Sequence, residues 1–302
     1  MTNQTKNSML LMLCALIWGT AFVAQSAGSG MGAFSFLAGR SWMAVLVLLP
    51  TVKAFDALHH RQGRPDGKPK TAAERKLLLK AGLMCGTLLF LASAAQQLGI
   101  TLDPSTAKAG FLTAMYVVLV PVFGLFLGRK GSAQLWVSMA IAVVGLYLLC
   151  LAGRDTLSLT GGEWQLLLCA FLFTAQILLV NHFSPKLDGI QMSFAQFFVV
   201  AVLSTVFMFV FETPTLAQLR GAAVSIAYCG IMSSGVAFTL QIVAQRDLDP
   251  TIASLAMCLE SVFSALAGWL ILGETLSATE LCGCALMFGA IVASQLPEKK
   301  RA

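Results

Sequence analysis

The sequence divides into ten apolar runs of about twenty residues, joined by mostly short polar connections, and nothing else limits its fold so tightly. At 1.5 Å of rise per residue, about twenty helical residues cross about 30 Å of hydrocarbon. Composition agrees. Charged residues make up 11% of the chain, against about 25% in soluble domains. The class is an all-α integral membrane protein. Its excess of positive charge, +6, does not point to nucleic acid. The basic residues sit in the connections beside apolar runs, as the positive-inside rule requires, and no soluble basic face with interleaved aromatics exists.

The runs predict helices near 8–28, 32–53, 77–99, 105–127, 132–152, 163–183, 190–211, 220–244, 251–272 and 277–296. Lys6 and Ala24-Gln25-Ser26 loosely resemble the ends of a signal peptide, but Met9 to Ala27 is too long for a signal core and reads as a span. The one long connection, residues 54–76, reads as a solvated cytoplasmic loop. With the N-terminus inside, Lys6, Lys53, that loop's six Lys and Arg, Lys80, Arg129, Lys130, Lys186, Arg246 and Lys299-Lys300-Arg301 are cytoplasmic. That is sixteen of twenty basic residues, leaving Arg154 and Arg220 outside and Arg40 and Lys108 within spans. Both termini are therefore expected in the cytoplasm, in a multi-pass protein of the inner (cell) membrane.

The chain also repeats itself. Leu102-Asp103-Pro104-Ser105-Thr106-Ala107 returns as Leu248-Asp249-Pro250-Thr251-Ile252-Ala253, and each copy opens the fourth helix of a five-helix half. Weaker parallels keep the same order: Leu11 to Ala15 with Leu166 to Ala170, and Ser35-Phe36 with Ser193-Phe194. The expected units are 1–153 and 154–302. Five spans is odd, so the second half enters the membrane from the opposite side. Inverted repeats place a solute site near the midplane, where one half can rock against the other.

These residues are similar to those of a known family. Ala15-Leu16-Ile17-Trp18-Gly19-Thr20-Ala21-Phe22 resembles the opening of EamA-type members of the drug/metabolite transporter (DMT) superfamily. Gln96 to Ile100 with Ala107 to Pro121 resembles the end of the first family repeat. Ser233 to Gln241, Leu259-Glu260-Ser261-Val262-Phe263 and Leu272-Gly273-Glu274 resemble the second. Where the family often has Glu-Pro, this chain has Glu260-Ser261, which is expected to leave the ninth helix straighter. The resemblance implies ten helices with both termini inside. It also implies a cavity lined by helices one to four and six to nine, with five and ten peripheral and available for a homodimer contact.

Ionisable groups inside a span are costly and are candidate functional sites. Glu260 lies ten residues past Pro250, about 15 Å along its helix, and reads as a proton carrier or the partner of a cationic solute group. The alternative is a hydrogen-bonded packing residue. Lys108 either snorkels to the outer interface or attracts anions there. Arg40 is expected to bond helix-end carbonyls or an acidic partner, some 10 Å from Glu260 in depth. Trp18, Thr20, Gln25, Gln97, Thr113, Tyr116, Gln176, Asn181, Gln191, Gln196 and Gln241 sit in apolar surroundings and must face the interior. The pathway is expected to involve Trp18, Thr20, Arg40, Gln97, Lys108, Thr113, Tyr116, Gln176, Gln241 and Glu260. Such a cavity, polar and nearly uncharged, suits an amino acid, amine or related amphiphilic solute. Gly82-x-x-x-Gly86 permits close helix approach, and Pro121 is expected to kink the fourth helix.

No catalytic constellation, cofactor motif or metal spacing emerges. The eight cysteines lie in apolar runs, and Cys282-x-Cys284 lacks further ligands nearby. There is no P-loop, so transport is expected to run on a solute or proton gradient. The expected function is a secondary transporter, an exporter working by alternating access. A membrane-embedded enzyme, a receptor-like protein and a channel are the alternatives.

Overall fold

The structure is a computed structural model and describes residues 3–61, 69–102, 106–129, 132–150, 160–273 and 275–295. Among these residues it is almost entirely helical, with short turns and coil between helices and no strand. The helices are α1 (Asn3–Ala27), α2 (Ala33–Arg61), α3 (Ala72–Leu102), α4 (Thr106–Ala114 continued as Tyr116–Phe126), α5 (Ala133–Cys150) and α6 (Gly161–Phe183). They are followed by α7 (Gly189–Phe211), α8 (Ala223–Gln245), α9 (Pro250–Leu272) and α10 (Ala278–Gln295). Eight are long and apolar enough to cross a membrane, and two shorter apolar helices, Ala133–Leu149 and Ala278–Ser294, accompany them.

Helix ends follow local chemistry. Thr160 and Glu163 form a capping box at the start of α6. Asp249 caps α9 by accepting from the Thr251 N–H at 2.8 Å, with Pro250 in the first turn, where its missing N–H costs nothing. The segments closing α4 and α9 each meet a glycine in the left-handed region, Gly128 (φ 76°) and Gly273 (φ 72°). Glu212 fastens the start of α2 by accepting from the Phe34 and Ser35 N–H groups at 2.9 and 2.8 Å.

The long connection is shorter than expected. Residues 54–61 continue α2, and α3 begins at Ala72. These stretches are rich in Ala, Leu, Glu, Lys and Arg, good helix formers that need no bilayer. Glu74 and Thr71 bond each other's backbone N–H, which starts α3 early. Residues 62–68, including Arg64, lie outside the described set, as does the expected boundary at 153/154.

The fourth and ninth helices break at matching points. In α4 the Met115 N–H bonds Leu112 O, three residues back; in α9 the Ser261 N–H bonds Cys258 O in the same way. Met115 and Ser261 are 146 positions apart, as are Leu102 and Leu248. Two expectations are corrected here. Serine in place of proline does not keep α9 regular, because the tight turn needs no proline. The break in α4 falls at Met115, while Pro121 sits within the continuous segment Tyr116–Phe126.

Packing runs mainly between the first five and last five helices. α1 packs on α9, α4 on α6, α3 on α6 and α7, α2 on α7 and α8, and α5 on α10. Small residues permit the closest crossings. A Cβ at Gly82 would meet that of Ala195 at 2.8 Å, and one at Gly19 would meet Glu260 O at 2.8 Å. The main core joins Leu11, Leu89, Leu146 and Leu166 with residues of α4, α8 and α9.

Candidate functional site

α9 carries Glu260 into the middle of the bundle, within the tight turn that the Ser261 N–H closes on Cys258 O. Its carboxyl accepts a hydrogen bond from the Tyr116 hydroxyl at 2.9 Å. Tyr116 is the first residue after the matching turn in α4, so the two interrupted helices meet through this pair. The next residue, Ser261, donates its hydroxyl to Gly110 O at 2.9 Å, which ties the same two helices a second time, six residues before Tyr116.

Arg40 approaches from α2, seven residues after its start at Ala33. The guanidinium is 5% exposed and donates to Gln25 Oε1 (3.0 Å), Ser234 Oγ (3.1 Å) and Ser233 Oγ (3.2 Å). Two successive serines can reach it because α8 widens into π-helical turns over Cys229–Ala237. Gly230 brings α8 close, for a Cβ there would lie 2.8 Å from Arg40 O. The expected carbonyl or acidic partner is replaced by three neutral side chains, because α1 and α8 offer an amide and hydroxyls at that depth. Among the described residues no carboxylate pairs with Arg40, so its charge is solvated only by dipoles, an expensive state in a bilayer.

Arg40 and Glu260 line the same cavity. The sequence put both in one pathway but about 10 Å apart in depth, too far for contact. α2 and α9 run into the membrane from opposite sides, and the space between the side chains is continuous. Trp18, Thr113, Tyr116 and Gln241 also line it. The Trp18 indole packs on Phe238 with ring centroids 4.8 Å apart, and Phe238 contacts Phe173 and Phe197. Trp18 Nε1 and Gln241 Oε1 are buried and have no hydrogen-bond partner among the described residues. Thr113 accepts from Gln96 Nε2 at 3.3 Å.

Three other expected pathway residues do not reach the cavity. Thr20 turns to the Tyr228 hydroxyl and its own backbone. Gln97 and Gln176 are 1% and 0% exposed but buried elsewhere, with both amide atoms unpartnered among the described residues. The Lys108 side chain lies outside the described residues. Conversely, Gln96 and Ser93 line the cavity where Gln97 was expected. They are three apart on α3, so they share a face from which Gln97 is turned away. Gln25 is a lining residue too, recognisable in sequence only as a polar residue in an apolar run.

Comparison with known proteins places this architecture. The profile of the EamA-like transporter family matches residues 6–151 and again 160–294. The chain belongs to that family. An uncharacterized transporter from Archaeoglobus fulgidus is 28% identical over 284 residues, which cover 93% of this chain and 83% of that protein. A protein of known crystal structure superposes with a TM-score of 0.75 over 96% of both chains at 17% identity, a likeness of fold. The EamA-like chain is thus a multi-pass membrane transporter, and its family indicates transport rather than catalysis.

Proposed function

We propose that this chain is a secondary transporter that exports a small metabolite across the inner membrane by alternating access. The observation that carries the reading is the cavity. A carboxyl from α9 and a guanidinium from α2 line one space near mid-depth, with an aromatic wall and unpartnered polar atoms at Trp18 and Gln241. Arg40 would hold an anionic pole and Glu260 a cationic one, which suits an amino acid; an amine would use Glu260 alone. Tyr116 would orient the carboxyl, and Phe173 and Phe238 would flank the apolar part.

Two inverted five-helix repeats support the alternating-access element of this reading. Exchanging each helix for the one five along turns the α1–α9 pair into α6–α4 and α3–α7 into α8–α2, and leaves α2–α7 and α5–α10 unchanged. All of these pairs pack in the structure. The two family matches and the matched turns at Met115 and Ser261 share that relation. Both ends of the cavity can then be opened by one motion and its mirror. Glu260 is the group proposed to carry a proton.

Counterflow in proteoliposomes tests the function. Purified protein, without ATP, should exchange labelled for unlabelled solute with at least one member of a panel of amino acids and amines. Arg40→Gln should abolish exchange of amino acids while sparing amines. Chemical conversion of a panel member, strict dependence on ATP, or flux without counterflow would overturn the proposal.

A further inference from the structure

The end of α4 is folded to aim one cation. Gly128, in the left-handed region, closes the helix with two backbone bonds, Gly128 N–H to Leu125 O and Arg129 N–H to Gly124 O, both 2.9 Å. Arg129 is thereby turned back along the helix, and a Cβ at Gly124 would lie 3.7 Å from its Cδ. Its guanidinium leaves α4 and reaches the other half of the molecule. Nη2 donates to Asn181 Oδ1 of α6 at 2.8 Å, and Nη1 lies 3.8 Å from Asp249 Oδ2 at the start of α9. Asn181 is engaged on its other side as well. Its amide nitrogen donates to Leu248 O at 2.9 Å and Gln245 O at 3.2 Å, the carbonyls of the turn between α8 and α9. Through one asparagine, an arginine of the first five helices holds the adjoining ends of α6, α8 and α9.

This network lies directly beneath the cavity. Ile177 of α6 and Gln241 of α8 line the cavity. Asn181 and Gln245 stand four residues further along the same helices, one turn or about 6 Å nearer the surface. The strength of the network is in the charge-assisted hydrogen bond to Asn181. The ion pair adds little, because both side chains are 41% exposed. The repeat does not reproduce the arrangement. The step of 146 that relates Leu102 to Leu248 takes Arg129 to Thr275, and the step of 155 that relates Leu11 to Leu166 takes Asn181 back to Ser26. Neither Thr275 nor Ser26 bears a charge or an amide. The opposite face is fastened by other means: Glu212 of α7 accepts from the Phe34 and Ser35 N–H groups and from the Ser35 hydroxyl of α2. The two faces are therefore closed by different chemistry.

A motion that opens the cavity on the Arg129 side has to part α4 from the ends of α6 and α9, and so has to break the bonds of Arg129. We propose that Arg129, Asn181 and Asp249 form the gate of the cavity on this face, which the proposed orientation makes cytoplasmic. Arg129 is the member that lets go. Asn181 is bonded to the α8–α9 turn and Asp249 to the Thr251 N–H, so both stay with their own half as it swings. The gate presupposes alternating access through the cavity.

Met257, which lines the cavity from α9 and is buried, can report the opening. Met257→Cys is placed in a chain without native cysteines, and its reaction with a membrane-impermeant thiol reagent is timed in sealed vesicles, from each face in turn. Ala73→Cys in a companion chain, at the same face as Arg129, marks which face is presented. From that face, Arg129→Ala and Asn181→Ala should each speed the reaction at least about fivefold. Arg129→Lys, which keeps a charged donor, should speed it less, and Glu212→Gln should not speed it. Melting temperatures check that each variant is folded. A folded Arg129→Ala that reacts at the parent rate from that face overturns the gate. So does an Arg129→Ala that reacts faster from both faces alike, which is general loosening. In either case, reaction of the parent chain from both faces leaves alternating access standing. If Met257→Cys reacts from neither face in any variant, alternating access falls and the gate with it.

Discussion

Glu260 and Arg40 share a cavity, but they are held in it differently. Glu260 has a specific donor in Tyr116; Arg40 has three neutral partners and no counter-charge among the described residues. A carboxyl that alternately takes and gives a proton would couple flux to a pH gradient, and glutamine keeps its volume without titrating. Glu260→Gln is therefore expected to insert normally, lose uptake driven by a pH gradient, and keep counterflow of neutral solutes. Gradient-driven uptake at the wild-type rate would make the carboxyl merely structural. Gln176 is the contrasting case. Its amide is fully buried, outside the cavity, with neither polar atom bonded among the described residues. An unmet buried amide costs about 1–3 kcal/mol, and methionine matches its volume. Gln176→Met should raise the melting temperature by about 2–6 °C and leave exchange unchanged; a fall in either shows that the amide is bonded in the working protein. The two residues also mark what the sequence made legible. A solitary acid in an apolar run narrows to two readings, a solute or proton site or a hydrogen-bonded packing residue, because burying it without a partner is costly. Polar amides in such runs have many, and only helix phase decides that Gln96 lines the cavity while Gln97 and Gln176 do not.

Turns and crossings decide the shape of the elements. Eight runs were legible as spans because hydrocarbon thickness fixes their length, and the other two form the shorter apolar helices Ala133–Leu149 and Ala278–Ser294. The extensions of α2 to Arg61 and of α3 back to Ala72 were not, since water tolerates helix and loop alike. The tight turns at Met115 and Ser261 escaped for a related reason: with no proline or glycine at either position, nothing local announces them. They arise where two helices must present Tyr116 and Glu260 to each other. Glycines at crossings are more readable. A Cβ on Gly283 would lie 2.5 Å from Gly145 O and 2.7 Å from Leu149 N, where α10 crosses α5. Both obstacles are backbone and cannot swing aside. Gly283→Ala should therefore cost about 1–3 kcal/mol, read as a lower melting temperature in detergent. Gly289→Ala on the same helix meets nothing within 4 Å and is the control, expected to hold or slightly raise it. Equal behaviour of the two variants would show that the crossing is looser than drawn.

At the scale of the whole molecule, the proposed orientation rests on charge. Translocating Lys or Arg in short loops is disfavoured, so the face richer in them stays in the cytoplasm. The proposed orientation puts sixteen basic residues of the sequence on the cytoplasmic side and two on the other. The structure supplies two exposed alanines on opposite faces: Ala73 opens α3 beside the basic connection, and Ala217 lies in the short helix Leu216–Gly221 between α7 and α8. Neither is a capping residue, so cysteine at either position should leave the fold intact. Placed singly in a chain without native cysteines, Ala217→Cys should react with a membrane-impermeant thiol reagent in right-side-out vesicles and Ala73→Cys should not. Permeabilising the vesicles should expose both. The opposite pattern would invert the protein and put Arg40 nearer the cytoplasmic mouth. Labelling of both positions in sealed vesicles would mean that the chain inserts both ways, which sixteen charges against two argue strongly against.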